Sequence, residues 1–159
     1  GRIAPRYDIG WGYLARLNHT SPEKIRAGQR LKVVRGPFSV DVDLGQLQMV
    51  VRSGRQYVCR FSIGIGRDNS TPRGRFRVLR KTPRPQYTDP EGRVIAAGAP
   101  ENPLGDFWID LGESYGIHGT NNPSSIGRAR SRGCIRLLNR DIKRLYGMLV
   151  TGSEVVISP

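Results

Sequence analysis

The sequence predicts a mainly β chain with one prominent helix, introduced by a small helical segment at the N-terminus. Three observations predict this. Between residues 46 and 63 apolar residues alternate with polar ones, the period-two mark of a half-buried antiparallel pair. One stretch near the C-terminus, opening at Asn139, carries apolar residues at helical spacing. In residues 1–35, Ile3, Ala4, Tyr7, Leu14 and Leu17 also fall at roughly helical intervals.

Taken in order, the first unit spans residues 1–35 and is interrupted by Gly10 and Gly12. Asn18 and Ser21-Pro22 mark a turn and a helix start. Gly28-Gln29 leads into a short apolar run, Leu31, Val33 and Val34. From Gly36 the pattern turns to β, and residues 36–159 read as the second unit. Leu47, Met49 and Val51 alternate with Gln46, Gln48 and Arg52. Ser53-Gly54-Arg55 makes a hairpin turn, and Tyr57, Cys59, Phe61 and Ile63 alternate with Val58, Arg60 and Ser62. Phe76-Arg77-Val78 and Phe107 to Leu111 are further strands. Residues 81–105, rich in Pro and Gly, are expected to form a long functional loop. Asn139 is the expected N-cap of the helix carrying Ile142, Leu145, Tyr146 and Leu149, with Gly152 just beyond it. Ser153 to Ile157 reads as a closing strand.

The length, 159 residues, suits one core-forming domain with a small appendage. No apolar run approaches the ~20 residues that span a bilayer. The net charge of +13 favours polyanionic partners such as nucleic acid, an acidic membrane surface or an anionic wall polymer, without choosing among them. The basic residues are scattered rather than gathered in a block. The two cysteines, Cys59 and Cys134, lie in different settings and do not make a disulfide framework. Two histidines and no CxxC pair give poor support for structural zinc, so no metal is expected.

The stretch Ile117 to Leu137 holds the chemistry. Cys134 follows Gly133 and is flanked by Arg132 and Arg136; nearby positive charge lowers a thiol pKa. A glycine before the nucleophile permits a tight turn, so that the Gly133 and Cys134 N–H groups can face a developing oxyanion. His118 is the only histidine of the β unit, and imidazole is the usual acceptor of a thiol proton. Such a Cys–His pair supports acyl transfer through a thioester. The plainer reading of Cys134 is a small buried hydrophobe. That reading is the preferred one for Cys59, whose strand face also carries Tyr57, Phe61 and Ile63. His19, among polar turn residues, reads as a solvated histidine.

His118-Gly119-Thr120, a short spacer, then Ser131-Arg132-Gly133-Cys134-Ile135-Arg136-Leu137 resembles the signature of the YkuD-type L,D-transpeptidases. The similarity extends through Gly64-Ile65-Gly66, Thr71-Pro72-Arg73-Gly74 with Phe76, Asn102-Pro103-Leu104-Gly105 with Trp108-Ile109, and the last strand. It covers about residues 37–158. Many members of that family have a second histidine where Arg132 stands here. Ile3-Ala4, Leu14, Asn18, Ile25 and Gly28-Gln29-Arg30-Leu31 resemble the later part of a LysM module, a small peptidoglycan-binding unit. The resemblance implies a YkuD-like β-sandwich with a helical LysM-like remnant. It also implies a longer precursor with an export signal or anchor.

The activity so implied is formation of peptidoglycan cross-links outside the cytoplasm, in the periplasm or cell envelope of a bacterium, with no cofactor. Cys134 attacks the carbonyl of the third residue of a tetrapeptide stem, meso-diaminopimelate or a related diamino acid. His118 takes the thiol proton on whichever ring nitrogen faces the sulfur, and Gly119 supplies the carbonyl that fixes the other. Arg136 holds the stem's carboxylate or braces the loop. Arg132 is a candidate for binding an anionic substrate or stabilising the thiolate, and Ser131 for binding substrate or bonding within the turn. Carbapenem-type inhibitors are expected to acylate Cys134. Water in place of the acceptor amine gives an L,D-carboxypeptidase. Two competing classes are a non-catalytic peptidoglycan-binding protein, which the intact His118 and Cys134 argue against, and a nucleic-acid binder. The second has charge alone in its favour, so no specific nucleic acid is expected.

Overall fold

A computed structural model describes residues 2–159. Two α-helices and thirteen strands follow in chain order. Helix α1 (Trp11–Leu17) precedes β1 (Phe38–Asp43), β2 (Gln48–Ser53), β3 (Gln56–Ser62), β4 (Ile65–Gly66) and β5 (Gly74–Arg77). Then come β6 (Arg80–Pro83), β7 (Tyr87–Thr88), β8 (Val94–Ile95), β9 (Phe107–Gly112) and β10 (Tyr115–His118). The last are β11 (Ala129–Ser131), β12 (Ile135–Arg136), α2 (Asn139–Met148) and β13 (Glu154–Ser158).

The alternation seen in the sequence builds the first sheet. In β1, buried Phe38, Val40 and Val42 interleave with half-buried Ser39, Asp41 and Asp43. Gly54 and Arg55 join β2 to β3 in a two-residue hairpin, with Ser53 opposite Gln56. The C-terminal β13 runs parallel to β1 and antiparallel to β5, completing a five-stranded sheet of order β3-β2-β1-β13-β5. The second sheet has the order β12-β10-β9-β6. β11–β4 and β7–β8 form two further two-stranded sheets. Phe38, Val40, Met49 and Val155 from the first sheet form one apolar cluster with Ile109, Ile117, Ile135 and Leu137 from the second. Ile142, Leu145 and Leu149 belong to the same cluster, which matches their expected buried face on α2.

Three expectations are corrected. A register shift between Val51 and Arg52 interrupts the β2–β3 ladder, so Tyr57 is 61% exposed instead of sharing the buried face with Phe61; Cys59 is half-buried. Residues 81–105 are not a bare loop: β6 pairs with β9, and β7 and β8 form a small hairpin. Asn139 does not cap α2. It is the first helical residue, and its Oδ1 accepts the Thr120 N–H at 3.1 Å, tying the helix to the segment after His118.

The N-terminal residues pack onto the β unit. Ala4, Ile9 and Leu14 join the common apolar cluster, and the Tyr13 ring meets Phe38 edge-on at 5.3 Å. The Gly36 N–H donates to the Tyr7 carbonyl at 2.6 Å. Arg16 reaches the Lys143 carbonyl of α2 at 3.3 Å. An added Cβ at Gly10 would fall 2.4 Å from the Gly147 carbonyl oxygen, so the two segments touch through backbone. No helix of the described residues is long and apolar enough to cross a membrane.

Candidate active site

The second sheet positions its side chains in two rows. Register pairs Arg136 with His118, His118 with Trp108 and Trp108 with Thr82 across β12, β10, β9 and β6. The neighbouring row runs Gly116, Asp110, Arg80, and the residue before Ile135, the partner of Ile117, is Cys134. Cys134 therefore stands at the mouth of β12, beside Gly116 and diagonal to His118. An open cleft of about 570 Å³ lies over this face; Cys134, Ser114, Trp108, Asp110, Tyr87 and Leu104 are among its walls.

His118 is almost fully buried, at 3% exposure, and is not a wall of the cleft. Its ring stacks on Trp108, with centroids 5.7 Å apart. Nδ1 lies 2.6 Å from the Gly119 carbonyl oxygen. A carbonyl only accepts, so this contact assigns the proton of the neutral ring to Nδ1. Burial pulls the imidazole down to about 4; the Gly119 carbonyl opposes this, the Arg136 charge adds to it, and the Leu104 carbonyl opposes it. Histidine is thus neutral at physiological pH, in the state that accepts a proton.

Cys134 is half-buried, with Sγ 3.7 Å from the Ser114 carbonyl oxygen. Burial pushes its thiol up, against a hydrogen bond with the Gly116 backbone and the charge of Arg136. The arginine effect expected from the sequence is therefore present but outweighed, and the resting sulfur is a thiol. Arg136 is half-buried, and its buried Nε has no hydrogen-bond partner among the described residues.

The turn before the cysteine is built by Ser131. Its Oγ donates to the Cys134 carbonyl at 2.6 Å and accepts the Gly133 N–H at 3.1 Å. This corrects the expected use of Gly133, whose N–H is already engaged; it also assigns Ser131 to the turn instead of to a ligand. Gly133 has φ +132°, and an added Cβ would fall 2.6 Å from the Tyr115 ring, so only glycine fits. Gly119 is held equally tightly: an added Cβ would fall 2.1 Å from Asn139 Oδ1. Arg132 is exposed and is not a wall of the cleft, so the substrate contact expected of it is not supported. His118, Gly119, Cys134 and Arg136 are brought together. Sequence reasoning missed Ser114, Asp110, Arg80 and Tyr87, whose places depend on strand pairing, and the contact of Asn139 with Thr120.

Residues 37–157 match the YkuD family, described as the L,D-transpeptidase catalytic domain, and residues 1–34 match the LysM domain. A protein of Bacillus subtilis (strain 168), named as the L,D-transpeptidase YkuD, is 30% identical over 165 residues, covering 98% of this chain and 91% of that protein. Its namesake in Bacillus licheniformis is 36% identical over 125 residues, covering 77% of this chain and 67% of that protein. Among solved structures, an L,D-transpeptidase from Mycobacterium smegmatis superposes with a TM-score of 0.63 at 19% identity, covering 85% of this chain and 65% of that one. L,D-transpeptidase 3 of Mycobacterium tuberculosis, in complex with a faropenem-derived adduct, gives 0.65 at 17% identity, covering 79% and 62%. The chain thus spans just under two thirds of either solved chain, and these two likenesses concern the fold.

Proposed function

From a chain that belongs to the YkuD family of L,D-transpeptidase catalytic domains, and so acts in forming peptidoglycan cross-links, we infer a reaction in which Cys134 is the nucleophile and His118 its base. One observation carries the reading: a thiol lining an open cleft stands diagonal, on the adjacent strand, to a neutral imidazole anchored through Nδ1. That is the arrangement thioester chemistry needs.

The donor is a tetrapeptide stem whose third residue is a diamino acid. The Cys134 thiol turns from the Ser114 carbonyl and gives its proton to His118 Nε2, while the sulfur attacks the carbonyl carbon of that third residue. Charge builds on the carbonyl oxygen, where the Cys134 N–H donates; losing such a donor costs about 3 kcal/mol of transition-state stabilisation. The C–N bond then breaks. His118 returns the proton to the departing amine of D-alanine, and the thioester remains. An amine of a neighbouring stem attacks the thioester carbon, passes its proton through His118 to sulfur, and restores the enzyme. Arg136, which like Arg132 is not a wall of the cleft, braces the loop and lends its positive charge to the Cys134 thiol. On this reading the chain works outside the cytoplasm in the cell envelope, where its +13 charge concentrates it on anionic wall polymer.

The test is turnover of a purified tetrapeptide donor, with products resolved as dimer, D-alanine and tripeptide. Cys134→Ala and His118→Ala are each expected to remain folded and to lose nearly all dimer formation. A carbapenem is expected to add its mass to Cys134, and peptide mapping is expected to find Cys59 unmodified. Dimer formed at an undiminished rate by either variant overturns the assignment. Tripeptide in place of dimer makes the chain an L,D-carboxypeptidase.

A further inference from the structure

The cleft beside Cys134 carries an acid–base pair that the reaction just described does not use. Asp110 on β9 and Arg80 on β6 are register partners, and both line the cleft. Their nearest approach, Arg80 Nη2 to Asp110 Oδ2, is 3.9 Å, too long for a hydrogen bond. The Asp110 carboxylate is nevertheless fixed: Oδ1 accepts the Gly112 N–H at 3.0 Å, and the side chain is only 22% exposed. Oδ2 is thus oriented, and the Arg80 guanidinium is mostly exposed. Of the two carboxylates that wall the cleft, Asp110 is half-buried and Glu113 is exposed.

Its distance from the nucleophile is informative. Cys134, just before β12, continues the level of Gly116 on β10 and Asp110 on β9, so two strand spacings of about 5 Å each separate Asp110 from the cysteine, roughly 10 Å in all. Gly116 has no side chain of its own, and the Trp108 ring lies over it, 2.6 Å from where a Cβ would stand, so a bound chain crosses that ring. A six-bond diamino acid side chain, extended from the scissile carbonyl carbon to its far nitrogen, spans about 7 Å. Adding a hydrogen bond of about 3 Å brings the total to about 10 Å.

We propose that Asp110 and Arg80 form a subsite for the far end of the donor's diamino acid, Asp110 Oδ2 accepting its ammonium and Arg80 pairing with its carboxylate. The pairing of one acid with one base fits an amino-acid head group, such as that of meso-diaminopimelate, better than the bare amine of lysine. The proposal rests on the transpeptidase reading for its donor, and binding separates the two. The full chain carrying Cys134→Ala, which forms no thioester, is titrated calorimetrically with three tetrapeptides: meso-diaminopimelate, lysine, and diaminopimelate acetylated on its far nitrogen. The diaminopimelate peptide is expected to bind about 10-fold more tightly than the other two. Adding Asp110→Asn is expected to remove that advantage over the acetylated peptide, and Arg80→Gln the advantage over lysine. Equal affinity for all three peptides, or equal losses on all three in Asp110→Asn, overturns the subsite. Carbapenem addition to Cys134 in the Asp110→Asn single variant reports the nucleophile separately. Its persistence alongside equal affinities condemns the subsite alone. Its absence from the wild type condemns the nucleophile, while the titrations still judge the subsite.

Discussion

His118 combines two properties that free histidine does not have together: a fixed tautomer and a charge state that does not change near neutrality. The Gly119 carbonyl sets the first and burial the second. Lowered from its ordinary value near 6.5 to about 4, the imidazole stays a competent base well into acid. The acid limb of kcat/KM is therefore expected between about pH 4 and 5 instead of near 6.5, measured by D-alanine release. Stability is linked to the same shift. Between pH 6.5 and 4 the unfolded chain binds a proton that the folded chain refuses, so stability is lost as the pH falls through that window. The loss is on the order of 3 kcal/mol. Urea unfolding at pH 7 and pH 4.5 is expected to show it in the wild type, and a smaller loss in His118→Gln. Equal losses in both rule out His118 as the source. The closeness of His118, Gly119 and Cys134 was legible in the sequence because they sit in one contiguous run. The engaged Gly133 N–H was not, because it depends on where the Ser131 hydroxyl points.

At the scale of elements, β6 shows the limit of pattern reading. Arg80-Lys81-Thr82-Pro83 has no apolar alternation and ends in proline, and its strand character comes from pairing with β9. Lys81 explains one further feature of the fold. Its Nζ donates to the Tyr146 and Leu149 carbonyls at 2.6 Å each, and lies 4.2 Å from the centre of the Tyr146 ring. It thereby closes the C-terminal turn of α2, where carbonyls lack intrahelical partners and positive charge is favoured. Lys81→Met keeps much of the volume and removes both bonds, and is expected to cost about 2 kcal/mol in chemical denaturation. An unchanged midpoint excludes this capping role. The strictly alternating strands and the apolar face of α2 were readable because one side of each is buried. The β2–β3 register shift was not, since a single slipped residue reverses the faces without altering composition.

For the whole molecule, the first 35 residues and the β unit differ in sequence character but share one apolar cluster. Ile9 and Leu14 are buried in it, and Tyr13 covers Phe38. A chain beginning at residue 36 therefore exposes part of the core of what remains. With 1.5–3 kcal/mol for each large side chain whose burial is lost, the thermal midpoint is expected to fall by roughly 10 °C. A midpoint within about 2 °C of the full chain shows that the two segments merely touch. The separate character of the N-terminal segment was legible from spacing, whereas its docking was not, because contacts such as Gly10 against Gly147 leave no periodic trace.

The slipped ladder between β2 and β3 also bears on how these molecules tolerate crowding. β3 is a border of the five-stranded sheet, and a straight border strand is an open template for the backbone of another molecule. Here the border is kinked, and it shows Gln56, Arg60 and Ser62 to water. Such a margin is a poor template for strand-to-strand stacking between copies of the chain.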